Sequence, residues 1–177
     1  MNNFRLQSVS AKNPEVGLLL SVLQDGTREW TEEFYDAADD LVNFRLVSGG
    51  HCFGGILLHI MAAERYWVDE VIFDLPVDLT DPATAYDEVL DQDGCVWPDA
   101  PIQTLDWYFE LFKKHRARTI ELLIQVENPL KIIQQHERAD YSISWIIGHL
   151  IQHDSYHGGQ CVMLNEFHKK TKQIENK

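Results

Sequence analysis

No run of about 18 apolar residues interrupts this 177-residue chain, which leaves no candidate for a membrane-spanning helix. Cysteine is scarce, and Cys52, Cys95 and Cys161 form neither a CxxC pair nor an even set, so a disulfide scaffold is excluded and reduced thiols are expected. Basic residues are few: 15 Lys and Arg stand against 28 Asp and Glu, a formal net charge of -13. Such a surface repels phosphate backbones, and no Lys/Arg stripe with interleaved aromatics offsets it, so nucleic acid is not an expected partner. The opening "MNNFRLQSVSAKNP" lacks an apolar h-region and a small-residue cleavage site, which makes the cytoplasm the expected location. Internal repeats, low-complexity tracts and convincing strand alternation are also lacking. A single domain over residues 1–177 follows, with a basic tail from about 169 to 177 expected to fray.

Four segments of helical period are present. The first opens at Asn13-Pro14, a polar cap followed by proline at the first helical position, and carries Leu19, Val22, Leu23, Trp30 and Phe34. Ser48-Gly49-Gly50 breaks the chain, and Ile56 to Phe73 reads as a second helix with Ile56, His59, Ala63, Tyr66 and Trp67 on one side, which turns His59 inward. Residues 74–101 hold eight acidic residues, several prolines and no Lys or Arg, a long solvated connection with one helical turn expected around Ala83 to Leu90. Its "DQDG" is no calcium loop, because aligning Gly94 with the loop glycine puts Val89 and Ala100 at the two end ligand positions. Thr104 opens a third helix reaching Val126, "LKIIQQHERADY" bridges with a short extended piece, and Ser142 or Ser144 caps a fourth helix to about His168. The expected fold is therefore all-α: a four-helix bundle, up-down-up-down or crossover, with a long loop between helices two and three.

The chemistry concentrates in "HLIQHDSYHGGQ", residues 149–160. His149, His153 and His157 repeat every four residues, about 6 Å along the axis per step, so neighbours can share one metal ion. The ends, about 12 Å apart, cannot. Spacing leaves His149/His153 and His153/His157 both open and supplies two ligands only. His59, in an apolar helix where an unpartnered imidazole is costly, is the candidate third. Cys161 continues the stripe but suits a small buried hydrophobe. Glu64, about 140° round the helix from His59, is expected to point away and form an ion pair. His51, His115, His136 and His168 read as surface histidines.

"LLHIMAAERYW" followed by "HLIQHDSYHGGQ" resembles the DinB-like metalloprotein superfamily, four-helix bundles whose relatives include YfiT-type proteins and mycothiol- and bacillithiol-dependent S-transferases. The resemblance covers most of the chain and implies His59, His153 and His157 as metal ligands, with His149 an extra histidine one turn upstream. It also implies a homodimer. The family's usual final segment is His-Arg-Gly-Gln; here Gly158 replaces the arginine, which removes a basic group beside the site.

Three imidazoles on one divalent transition-metal ion leave positions open for water or substrate. Zinc and nickel suit such ligation best, iron and manganese also. Bound water could be activated for hydrolysis, or a thiol held as thiolate, and the resemblance favours the second: a metal-dependent transferase joining a small-molecule thiol to an electrophile. A hydrolase and a non-catalytic protein with a structural ion are the alternatives. Tyr156 and Gln160 are candidates to orient a ligand imidazole or substrate, and Tyr66 to line a pocket.

Overall fold

The computed structural model describes residues 6–86, 97, 99–135 and 139–175. Asn13 starts α1 (Pro14–Thr31), its Oδ1 accepting from the Glu15 and Val16 amides at 2.9 and 3.4 Å. The buried stripe is Val16, Leu20, Leu23 and Trp30, with Leu19 and Val22 at its margin, and Phe34 falls in a 3-10 turn beyond the helix. The second helix begins earlier than its periodicity suggests. α2 (Phe53–Glu64) is buried almost all round, so no polar face marks its start, and it continues as a π-helical stretch over Arg65–Ile72.

Thr104 caps α3 (Leu105–Leu123) by accepting from the Trp107 amide at 3.2 Å. A hairpin of β1 (Ile132–Gln135) and β2 (Ala139–Ser142) pairs Ile132 with Ser142 and delivers the chain to α4 (Ile143–Glu175). Ser142, rather than Ser144, makes the cap: its hydroxyl accepts from the Trp145 amide at 3.1 Å. α4 does not stop near His168. Lys169 and Lys172 bind Asp36 and Asp40 at 2.7 and 2.5 Å, which ties the basic end to the α1–α2 connection and keeps it helical to Glu175. Of the expected turn after Ala83, a 3-10 helix over Pro82–Tyr86 is described and the rest lies outside the described residues. Among the described residues, no helix is long and apolar enough to cross a membrane.

Two apolar clusters fill the bundle. One gathers Trp30, Phe53, Ile56, Leu57, Leu105, Tyr108, Phe112, Cys161 and Leu164; the other gathers Val16, Leu20, Val68, Leu123, Ile143, Ile147 and Leu150. α2 with its π-helical continuation and α3 both start in the first cluster and finish in the second, whereas α1 and α4 do the reverse. The bundle is therefore up-down-down-up, and the long α2–α3 connection exists to return the chain to the end where α2 began.

Candidate metal centre

Between the two clusters lies a polar layer. Arg116 of α3, 7% exposed, donates from Nε to Glu64 Oε1 at 2.8 Å and from Nη2 to Asp154 Oδ1 at 2.6 Å. Thr119 donates to the other Glu64 oxygen at 2.7 Å, Trp30 Nε1 donates to Asp154 Oδ2 at 3.0 Å, and Arg116 Nη1 donates to the Thr27 hydroxyl. Burial opposes the guanidinium charge, but Glu64 and Asp154 outweigh it and raise the Arg116 pKa. All four helices are joined in this layer. Glu64 makes the ion pair its angle implied, but Arg116 and Asp154 were not singled out from the sequence. Their signal was present: Phe112, Arg116, Thr119 and Leu123 share one face, and so do Leu150, Asp154, His157 and Cys161.

Beside this layer, α2 and α4 bring His59, His153 and His157 together. All three are buried, and one ligating nitrogen of each lies within 4.8 Å of the others. His59 Nε2 and His153 Nε2 are 3.0 Å apart, while ring centroids stand 4.4 to 4.8 Å apart. Ligands at about 2.1 Å from one tetrahedral ion are spaced by about 3.4 Å, so the cluster has the dimensions of a metal centre. His157 supplies the sharpest indication of fit. Its Nδ1 donates to Gln160 Oε1 at 2.7 Å, which fixes the proton there and leaves Nε2 bare; that atom is buried without a hydrogen-bond partner. A cation is the partner such a lone pair lacks.

The electrostatics agree. Burial first, then the neighbouring His157, His59 and His149, push the His153 pKa down to about 2. Burial pushes His157 down to about 4, against the Gln160 hydrogen bond and with help from His59 and His51. Both rings are neutral at pH 7 and ready to ligate. Because the folded pKa values lie below the unfolded value near 6.5, the unfolded chain takes up protons that the folded chain refuses, and stability falls as pH drops below about 6.5. We expect the urea midpoint of chelator-treated protein to decrease from about pH 7 to about pH 5. A flat midpoint over that interval contradicts buried neutral rings.

The other candidates take distinct places. His149 stays outside the trio: it lies 3° from parallel to Trp145 at 5.2 Å, within an aromatic group that includes Trp67 and Tyr141, and its ring is 5.7 Å from His153. Tyr66 packs edge-on against Trp67, in that same group. Tyr156, 51% exposed, stands at the rim, 4.2 Å from the His157 ring and 5.3 Å from His153. Cys161 is buried with its thiol pKa pushed up by burial and then by Asp154, a protonated core residue. Among the described residues, no fourth His, Cys, Asp or Glu joins the three histidines.

Three of the surface histidines are not what the sequence suggested. His51 lies 3.9 Å from the Trp97 ring, tilted by 34°, and that ring also meets His59 at 5.6 Å, so His51 borders the centre. His168 is buried against Asp40 at 3.1 Å. His115 pairs with Asp81 at 3.1 Å on the wall of a cleft of about 620 Å³ between α3, the π-helical stretch and residues 76–82; none of the three clustered histidines lines it. Residues of the connections between helices, Trp97, Asp40 and Asp81, meet all three, and local periodicity carries no record of that. His136 lies outside the described residues.

A family model described as mycothiol-S-transferase matches residues 18–169. The chain belongs to the mycothiol-S-transferase family. This is a DinB-like family, so the expected resemblance and the all-α fold both hold. No curated protein matches the chain. Within a mycothiol-S-transferase-like bundle, the Gly158 departure has a steric cause. A Cβ there would stand 2.5 Å from Trp30 Cδ1, because the indole that donates to Asp154 occupies the space a side chain would need. Gly158→Ala, which in an open helix would stabilise by about 0.5–1 kcal/mol, should instead cost about 1–3 kcal/mol through overpacking. Thermal unfolding measures this, and a melting temperature at or above wild type contradicts the packing.

Proposed function

We propose that His59, His153 and His157 hold one divalent transition-metal ion and that the chain is a metal-dependent transferase joining a low-molecular-weight thiol, of which mycothiol is the family's example, to an electrophile. The observation that carries this reading is the bare, buried Nε2 of His157 facing two more imidazoles with, among the described residues, no fourth protein ligand beside them. A divalent ion bound there keeps a thiol as thiolate near neutral pH. The protein contributes three neutral ligands held by two helices, a proton fixed on His157 Nδ1 by Gln160, and a rim at which Tyr156 meets solvent. Burial raises the Tyr156 pKa, so its hydroxyl remains a donor at neutral pH for a leaving group or thiol substituent.

Zinc or nickel fits this donor set best, with iron and manganese compatible. The same reading takes the protein to be a cytoplasmic homodimer. The hydrolase alternative uses the same ligands and has no separate support, and a purely structural ion is disfavoured because no fourth ligand stands there among the described residues. Metal-loaded protein incubated with a thiol panel, mycothiol included, and monochlorobimane should form the conjugate in a metal-dependent way. Metal-bound protein that conjugates none of these thiols contradicts the transferase.

A further inference from the structure

A cavity of about 180 Å³ lies one helical turn beyond the centre along α4, with Val47, Ile56, Met163 and Leu164 as apolar wall and His51 and Gln160 as its polar groups. Its loop wall is fixed in place. Arg45 donates to Gly50 O and to Asp99 at 2.7 Å, Arg45 and Cys52 form a β-bridge, and the Gly50 amide reaches Val47 O at 3.1 Å. Gly49, at φ 74°, supplies the left-handed turn this needs. Gln160 connects cavity and centre: Oε1 is committed to His157 Nδ1, while among the described residues Nε2 meets no acceptor. The cavity opens to solvent past Val47 and Met163, and its volume suits a single ring or a short alkyl chain.

We propose that this cavity is the subsite for a small, neutral, apolar ligand bearing one hydrogen-bond acceptor, with Gln160 Nε2 as the donor to that acceptor. Among the described residues no Lys or Arg lines the cavity, so a charged ligand has no counter-ion among them. Gln160 thereby performs two tasks, setting the His157 tautomer with its oxygen and the ligand's orientation with its nitrogen. None of the three clustered histidines lines the cavity, so its occupant sits beside the centre and not on the ion: a compact aryl or alkyl group whose carbonyl, epoxide or nitro oxygen faces Gln160.

The test uses two probes inert to thiols, acetophenone and toluene, titrated into full-length protein by ligand-observed NMR. Both should bind wild type saturably, the ketone about fivefold tighter, the worth of one neutral hydrogen bond. Met163→Trp and Val47→Trp, at rim positions 46% and 67% exposed, should each abolish binding of both probes without loss of fold. Gln160→Glu keeps an acceptor for His157 but removes the donor, and should erase the ketone's preference while toluene still binds. No saturable binding to wild type, or binding unchanged in both tryptophan variants, overturns the subsite; a preserved ketone preference in Gln160→Glu overturns the donor. Neither probe requires metal or turnover. Binding without conjugation therefore removes the transferase alone, and conjugation without binding removes the subsite alone.

Discussion

Protein carrying His153→Ala or His59→Ala will purify with its metal content reduced from about one ion per chain to a trace, while helical content stays at the level of chelator-treated wild type. Each substitution leaves two imidazoles, too few to retain an ion against competing ligands. The stability consequence is large. An ion present at about 1,000 times its dissociation constant contributes about 4 kcal/mol, or roughly 10 °C of melting temperature for a chain of this size. Wild type should therefore lose about that much on chelation, and the two variants should be insensitive to the chelator. Undiminished metal by elemental analysis in both variants would place the ion elsewhere. His149→Ala is the control: its ring stacks on Trp145 outside the trio, so metal content should be unchanged.

Arg116→Leu is expected to be the most destabilising single substitution in the polar layer, at about 3–5 kcal/mol. Glu64 and Asp154, both within 2% exposure, would remain as two buried carboxylates without their shared cation. The loss comes from those stranded charges more than from the ion pairs, so removing one of the two carboxylates as well should relieve it. Glu64→Leu in the Arg116→Leu background should therefore recover part of it, a coupling that a double-mutant cycle reads directly. Urea unfolding of the four proteins decides the matter: additive losses would mean that the buried pair is not a coupled unit. Because Asp154 also accepts from Trp30, whose ring fills the space over Gly158, disturbance here should propagate along α4 toward His157.

Much of the site was legible because its grammar is local. An i, i+4 histidine pair on a helix can only present two imidazoles to one side, and the apolar surroundings of His59 make a partner obligatory; both statements need nothing beyond 3.6 residues per turn and the cost of burying a polar group. The caps Asn13, Thr104 and Ser142 were readable for the same reason, since an amide two or three residues away decides them. Boundaries failed where the fold took over. α2 begins before Ile56 because it is buried on every face, and α4 runs past His168 because Lys169 and Lys172 find Asp36 and Asp40 from a distant connection.

By itself, then, the sequence determined an all-helical chain, its family resemblance, and which histidines share a face, all consequences of periodicity and short-range sterics. Only the tertiary structure decided that α2 and α3 run the same way, that Arg116 spans Glu64 and Asp154, that Trp30 requires glycine at 158, and that His51 and Gln160 border a cavity beside the centre. Each of these joins residues dozens of positions apart. Their positions follow from how four helices pack and where a long connection returns, and that geometry appears in the chain only after it has closed on itself.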